Sequence, residues 1–494
     1  MSRPIRIAII GAGVVGASVS RVLSMFEDFE VYLLEKEADV GWGVSKANTG
    51  IIHAGYDDEP ELYPLRAKFC VKGNKIWRKW TKELDIPVKW CGSLVLAFND
   101  EEEKVVEELH DRGVRNGVRG LRVIESKEIR SMEPNVSRDA VAALWAPTAG
   151  QTSPWDAVTA LVENSIANGV KLYLLTEIKG IKVENGCVSG LETTKGSLEV
   201  DWVVNAAGLY ADKIAEMAGL GGYRIKPRKG EYMVFDRDAE PKVLRILFPT
   251  PTPSSKGVVV TTTTDGNLMI GPNAQDLPEE QRNDKSNTRE GLEYIWTAAS
   301  KLVDRLPPRN RIIRFFAGSR PEPTGGDFIV KWYEEVYGFI DAAGMRSPGL
   351  TSAPAIAYEV LEILKSATDI DFKPKKDWKP RRKRITRFSE LTLDERSRLV
   401  RREPRYGRII CVDEMVSEME VIEAIKRGAT TVDGVKFRTR ACMGVCQGSS
   451  CMYKIALILS RELGIPLWKV SIKGPGTEIG IGDVKTLLVA EKFE

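Results

Sequence analysis

Histidine is nearly absent: the 494 residues include two, His53 and His110. A zinc site built on several histidines is thereby excluded, and any chemistry that needs an imidazole base narrows to two positions. Long apolar runs are missing as well. No stretch reaches the roughly 18–20 continuous apolar residues of a membrane-spanning helix, and the early run from Ile7 to Ile10 breaks into Gly11-Ala12-Gly13, as a strand entering a turn does and a signal peptide does not. Neither sign of charge dominates. With 72 Lys+Arg against 69 Asp+Glu the net charge is +3, which carries no overall nucleic-acid signal. Cysteine is sparse and odd in number, and four of the seven (Cys411, Cys442, Cys446 and Cys451) crowd near the C-terminus. That distribution argues against a secreted disulfide framework and for a metal or cluster site in a reducing compartment, with the cytoplasm as the expected address.

What is present is an α/β pattern long enough for at least two cores. From Arg6 to about Asp371 strands and helices alternate without a long linker. Strands are expected at 171–175, 178–184, 187–193 and 198–205, the turns at Asn185-Gly186 and Lys195-Gly196 suiting a small antiparallel meander. A second β-rich stretch, 229–270, precedes a helix expected at 289–306. Residues 373–384 (KPKKDWKPRRKR) are basic and nearly devoid of apolar side chains, so 373–408 reads as a basic linker. Helices at 414–427 and 452–462 should flank the cysteine run in a module at 409–465, followed by a tail at 466–494.

The segment IAIIGAGVVGASVSRVL places Gly11, Gly13 and Gly16 between an apolar strand and a helix, and the strand VYLLE ends in Glu35, nineteen residues after Gly16. This is a dinucleotide-binding βαβ unit. Gly11 permits the tight turn, Gly13 lets the backbone approach a pyrophosphate, Gly16 permits close helix packing, and Glu35 can accept hydrogen bonds from a ribose. The fingerprint does not separate FAD from NAD. A second one is lacking, because GPGTEIG (474–480) lies too near the C-terminus to open a further βαβ unit.

Three further segments carry a resemblance: the small-residue loop from Gly41-Trp42-Gly43 to Ile52-His53-Ala54-Gly55, VVNAAGLYAD (203–212) and GFIDAAGMRSPGLTSAPAIAYEVLEIL (338–364). Together with the fingerprint they resemble the glycine-oxidase and D-amino-acid-oxidase superfamily of FAD enzymes over about residues 5–365. IIHAGYDDEP, LRAKFCVKGN and CGSLVLAF look most like its branch of L-2-hydroxyglutarate oxidases and glycerol-3-phosphate dehydrogenases. The resemblance implies an α/β fold: a Rossmann-type FAD-binding domain from parts at about 1–85, 146–225 and 326–372, with a β-rich α+β substrate domain, about 86–145 and 226–325, inserted in it. It implies FAD contacts from Ser45, Thr49, Gly50, Ala207, Gly208, Gly344, Pro348, Gly349, Leu350 and Thr351. Arg320, in FAGSRPEP, matches a substrate-binding arginine. Arg346 matches a basic residue of the flavin loop, Lys256 and Lys229 are weaker candidates for anion ligands because lysines in β-rich regions are usually solvated, and His53 is the expected base or proton relay. His110, in EEEKVVEELH, belongs on the surface. One departure stands out: where the aerobic glycerol-3-phosphate enzymes carry a substrate arginine just after the histidine loop, this chain reads Tyr56-Asp57-Asp58, which keeps a dicarboxylate such as 2-hydroxyglutarate in view.

At the other end GVCQGSSC resembles the bacterioferritin-associated-ferredoxin type of [2Fe-2S] domain, which anaerobic glycerol-3-phosphate dehydrogenase subunits carry at their C-terminus. That family joins a C-x-C pair to C-x4-C, whereas this chain has Cys411-Val412-Asp413 with Cys446-x4-Cys451. Asp413 supplies a carboxylate ligand, Cys442 substitutes as the fourth thiolate, or the cluster is absent; thiolates suit zinc as well. The expectation is FAD-dependent oxidation of sn-glycerol 3-phosphate to dihydroxyacetone phosphate, with electrons leaving through the cluster to a partner subunit of a hetero-oligomer, any membrane association being through that partner. Alternatives are a 2-hydroxy acid or amino acid dehydrogenase and a noncatalytic electron-transfer subunit.

Overall fold

The computed structural model describes residues 3–252 and 256–485; residues 486–494 of the expected tail lie outside them. The chain forms two compact units. One is built from residues up to Glu35 and Gly41–Arg382, the other from Lys36–Val40 and residues from Lys383 on.

The first unit is organised on a six-stranded sheet in the order 329–332, 339–343, 202–205, 5–10, 29–34, 171–173, parallel except for its first pair. Strand β1 (Ile5–Ile10) is central, and Ile7 to Ile10 are buried, as expected of a parallel strand covered on both faces. It enters the glycine turn and helix α1 (Val14–Leu23), and the chain returns as β2 (Phe29–Leu34) beside it. The neighbour on the other side of β1 is the strand Trp202–Asn205, so the glycine turn stands at a point where the strand order switches direction.

The strand expected at 198–205 is split in two, and Ile178–Glu184, Cys187–Thr193 and Gly196–Glu199 form the antiparallel meander. Lys171–Tyr173 and Trp202–Asn205 instead join the parallel sheet. Trp202–Asn205 is fully buried, which accounts for its place in the interior. The helix expected at 289–306 spans Arg289–Ser300.

A nine-stranded, mostly antiparallel sheet takes its strands from 93–146 and 225–323. Its longest pairing aligns Ile225–Phe235 with Ile312–Pro323 and sets Arg228 opposite Arg320. Leu96, Phe235, Leu247, Val260, Ile270 and Ile295 form its core.

Residues 373–382, expected from their charge to be linker, are laid against this first unit. Arg382 pairs with Glu163 at 2.7 Å, the Lys379 N–H donates to Asn168 Oδ1, and the Pro380 carbonyl accepts from the fully buried Arg21. Arg21 also lies 5.1 Å from the ring centres of Trp80 and Trp378. The basic stretch is thus held by specific partners. Further on, Leu393–Arg402 is a helix opened by a Thr392/Glu395 capping box, a local signal outweighed by charge in reading this stretch as linker.

The second unit packs helices Glu418–Lys426, Val432–Thr439 and Met452–Leu463 around Val421, Ile422, Val435, Ile455 and Leu459. A Ser417/Glu420 capping box starts the first of them four residues after the position expected. Val470 is fully buried in the same core, so packing continues into the stretch expected as tail.

Candidate flavin, substrate and cluster sites

The glycine turn is built by contacts that exclude side chains. Gly11 has φ +101°, and a Cβ there would lie 2.5 Å from the Ala206 carbonyl oxygen; a Cβ on Gly16 would lie 1.9 Å from the Gly11 carbonyl oxygen. Gly13 precedes α1, whose Val14 N–H donates to Ser45 Oγ at 2.9 Å. Glu35, at the end of β2, accepts the Ala12 N–H at 2.9 Å. Backbone amides at a helix start beside a carboxylate suit a diphosphate and a ribose.

The other residues expected to touch FAD come to the same region of the unit through specific bonds. The His53 N–H donates to Thr351 Oγ1 at 2.8 Å, and Gln151 Nε2 donates to the Thr49 carbonyl at 2.5 Å. Trp77 Nε1 donates to the Leu350 carbonyl at 3.0 Å. Gly50, at φ +73°, leaves room for Thr152, and Gly344, at φ +72°, for Pro323. The Ala207 N–H bonds to Asn205 Oδ1, while Gly208, at φ +58°, faces open space. Helix Gly349–Thr368 begins after Pro348 with no side-chain cap, so its positive end is available to a partly anionic ring. These residues fit a flavin dinucleotide.

Beside them is a cluster of charge. Arg346 Nε is 2.8 Å from Glu322, and Arg66, Asp58 and Arg320 also act on it electrostatically. Burial pushes its guanidinium down in pKa, and Glu322 works in the opposite direction. Arg66 pairs with Asp58, and Lys256 with Asp57, Asp58 lying 3.6 Å from the same ammonium. Burial disfavours ionisation of Asp57, but Lys256 outweighs it and holds the carboxyl below its usual range.

Arg320 differs from the rest. Its Nη2 donates to the Asn273 carbonyl at 2.9 Å and its Nε to the Arg228 carbonyl at 3.4 Å, and among the described residues no carboxylate pairs with it. Among the described residues four cations thus meet three carboxylates, and Arg320 is the cation of these four without a carboxylate partner. Lys229, by contrast, is committed to Asp284 at 2.7 Å.

His53 is half-buried, and desolvation first, then the charge of Lys256, lowers its pKa from the usual 6.5 to about 4. Its Nε2 is 3.4 Å from Ser347 Oγ. A neutral imidazole can take a proton. Because the protein has two histidines, imidazole nitrogen NMR resolves this one. We expect His53 to stay neutral as the pH falls through 6.5 and to protonate only near about pH 4. Its contribution to stability is full above the unfolded value and is lost as the pH falls toward 4, since the unfolded chain takes up that proton first. A charged His53 at pH 6 would contradict this. His110 lies half-exposed beside Asp111, on the surface as its helix implied.

Sequence reading missed Arg66, Glu322 and Ser347. Glu322 was within reach: it follows Arg320 by two on one strand, hence on the same face. Arg66, in the first turn of helix Pro64–Glu83, carried no such local signal.

In the second unit Cys442 Sγ lies 3.3 Å from Cys451 Sγ, and Cys411 is buried in the same core as both. Cys446 Sγ is 3.4 Å from Ser450 Oγ, and its backbone N–H donates to Asp413 Oδ2 at 2.9 Å. Among the described residues no three potential ligands converge as a single metal ion requires. A two-iron cluster does not ask this, since its ligands divide between two irons. The thiol-rich donor set fits such a cluster.

The FAD dependent oxidoreductase family profile matches residues 6–363, and that of the BFD-like [2Fe-2S] binding domain matches residues 409–461. The chain is 41% identical to a glycerol 3-phosphate dehydrogenase of Caloramator mitchellensis, over 97% of this chain and 99% of that one. It is 34% identical to a glycerol 3-phosphate oxidase of Mycoplasma genitalium, over 76% and 97%. The dithionite-reduced L-alpha-glycerophosphate oxidase of Mycoplasma pneumoniae, solved with FAD bound, superimposes with a TM-score of 0.71 at 29% identity, covering 77% of this chain and 98% of that one. The chain belongs to the FAD dependent oxidoreductase family and carries a BFD-like [2Fe-2S] binding domain after its flavin part.

Proposed function

We propose that this protein oxidises sn-glycerol 3-phosphate to dihydroxyacetone phosphate and delivers the electrons to a separate protein. The observation that carries the reading is Arg320, which has no carboxylate partner among the described residues and acts on the charged Arg346, in a cluster whose Lys256 in turn acts on a half-buried, neutral His53. Bound FAD supplies the two-electron acceptor, and the [2Fe-2S] centre supplies a one-electron carrier.

The chain's own residues do the rest. Arg320 binds the phosphate by charge-assisted, forked hydrogen bonds, and Arg346 and Lys256 add positive charge around it. His53 takes the proton of the hydroxyl being oxidised, so that the C–H bond gives up its electron pair as the carbonyl forms. Thr351 and Asn74, bonded to the N–H and carbonyl of His53, hold the imidazole in place. Gly11, Gly13, Gly16 and Glu35 hold the dinucleotide. Supporting an external acceptor is the presence of a single nucleotide fingerprint beside four clustered thiols, which also favour the reducing cytoplasm. No helix of the described residues is long and apolar enough to cross a membrane.

Anaerobic bleaching of the visible flavin absorption tests the substrate. With glycerol 3-phosphate, 2-hydroxyglutarate, lactate, sarcosine and proline supplied in turn, glycerol 3-phosphate should bleach it. Bleaching by 2-hydroxyglutarate alone would overturn the assignment in favour of the dicarboxylate that Asp57, standing in the place of an arginine, kept in view.

A further inference from the structure

Resting on the cluster reading, the structure assigns the fourth cluster ligand: Cys442, with Cys411, Cys446 and Cys451, makes an all-thiolate set, and Asp413 holds the ligand loop without touching iron. The pattern of the domain puts a cysteine two residues after Cys411, where this chain has Asp413. That carboxylate is exposed, and its Oδ2 already accepts the Cys446 N–H at 2.9 Å. A Cβ on Gly444 would lie 2.3 Å from the Asp413 Cβ, so the loop before Cys446 is closed tightly onto this aspartate. Asp413 therefore acts as a clasp between the strand end at Cys411 and the ligand loop.

Cys442 has the opposite surroundings. It is 2% exposed, and its Sγ is 3.3 Å from Cys451 Sγ. Its backbone has φ +67°, a left-handed conformation that a residue with a Cβ adopts at a cost and that the surrounding structure must impose. Gly448, within Cys446-x4-Cys451, makes the room: a Cβ there would stand 3.1 Å from Cys442 Sγ. The ligand loop is thus shaped around the Cys442 sulfur. Cys411, Cys442 and Cys451 are all buried, the sulfurs of the last two 3.3 Å apart, and Cys446 follows on the loop that Cys451 closes. The thiolate missing from C-x-C is restored by a residue from another point in the chain.

The test compares full-length variants by iron and acid-labile sulfide per chain, visible absorption and the EPR signal after reduction, with flavin content and flavin bleaching measured alongside. Asp413→Asn keeps an acceptor for the Cys446 N–H and removes the charged carboxylate; it should retain the full complement of iron and sulfide. Cys442→Ala should lose nearly all of both while its flavin is still bound and bleached by substrate. A cluster that survives Cys442→Ala, or that is lost in Asp413→Asn, overturns the assignment and leaves the flavin chemistry standing. Wild-type protein with zinc and no sulfide overturns the cluster reading and the assignment together. Should Cys442→Ala fail to fold, the native holoprotein decides: with cysteine Cβ labelling, four of its seven cysteines should show hyperfine-shifted signals, and three would overturn the assignment.

Discussion

Arg320→Ala should keep its yellow colour and lose most of its activity, with kcat/KM for sn-glycerol 3-phosphate falling about 30- to 1,000-fold. The figure follows from removing one partner of a partly desolvated, charge-assisted ion pair, which costs about 2–4 kcal/mol, each 1.36 kcal/mol being about tenfold in rate. The loss should be that large because the other cations of the pocket cannot replace it. Arg346 is held by Glu322, Arg66 by Asp58 and Lys256 by Asp57, whereas Arg320 uses two donors on backbone carbonyls and has the remainder for the substrate. Its fold should survive, because the strand pairing of Ile225–Phe235 with Ile312–Pro323 runs through backbone groups. Arg320→Lys should recover part of the activity, since it returns the charge without the fork. Near-normal turnover in Arg320→Ala would remove this residue from the substrate site.

The second large effect is expected at the nucleotide turn, where Gly16→Ala should yield protein that is unstable or free of flavin. A Cβ at Gly16 would lie 1.9 Å from the Gly11 carbonyl oxygen and 3.2 Å from Ile9 Cγ2. Both belong to the strand and turn that present the pyrophosphate site, and a backbone oxygen cannot swing aside as a flexible side chain does. Relief requires α1 to move off β1, at about 3 kcal/mol or more for overpacking against backbone. Gly221→Ala is the control, because a Cβ there meets nothing within 4 Å and the residue lies outside the expected flavin contacts. The flavin-to-protein ratio and the melting temperature should fall in Gly16→Ala and hold in Gly221→Ala. A flavin-replete Gly16→Ala with wild-type melting would mean that the close helix approach is unimportant.

The amino-acid order alone determined whatever depends on neighbours along the chain. The strand, the glycine turn, α1 and the acid ending β2 lie within some thirty consecutive residues, and each is set by spacing, steric freedom and alternation of apolar side chains. The clustering of Cys442, Cys446 and Cys451 is local for the same reason. Tertiary structure decided which charges are free. Arg66, Lys256, Arg320 and Arg346 come from a helix start, a loop, a strand and the flavin loop, and four basic residues so placed look alike in sequence. Only folding sets Asp57 against Lys256 and Glu322 against Arg346, leaving Arg320 without a carboxylate among the described residues. The same holds for residues 373–382, whose basic composition suggests a solvated connector until Glu163 and the Asn168 side chain are brought up to them. His53 could be picked out by rarity, but its neutrality could not, because desolvation depends on what the whole fold packs around an imidazole.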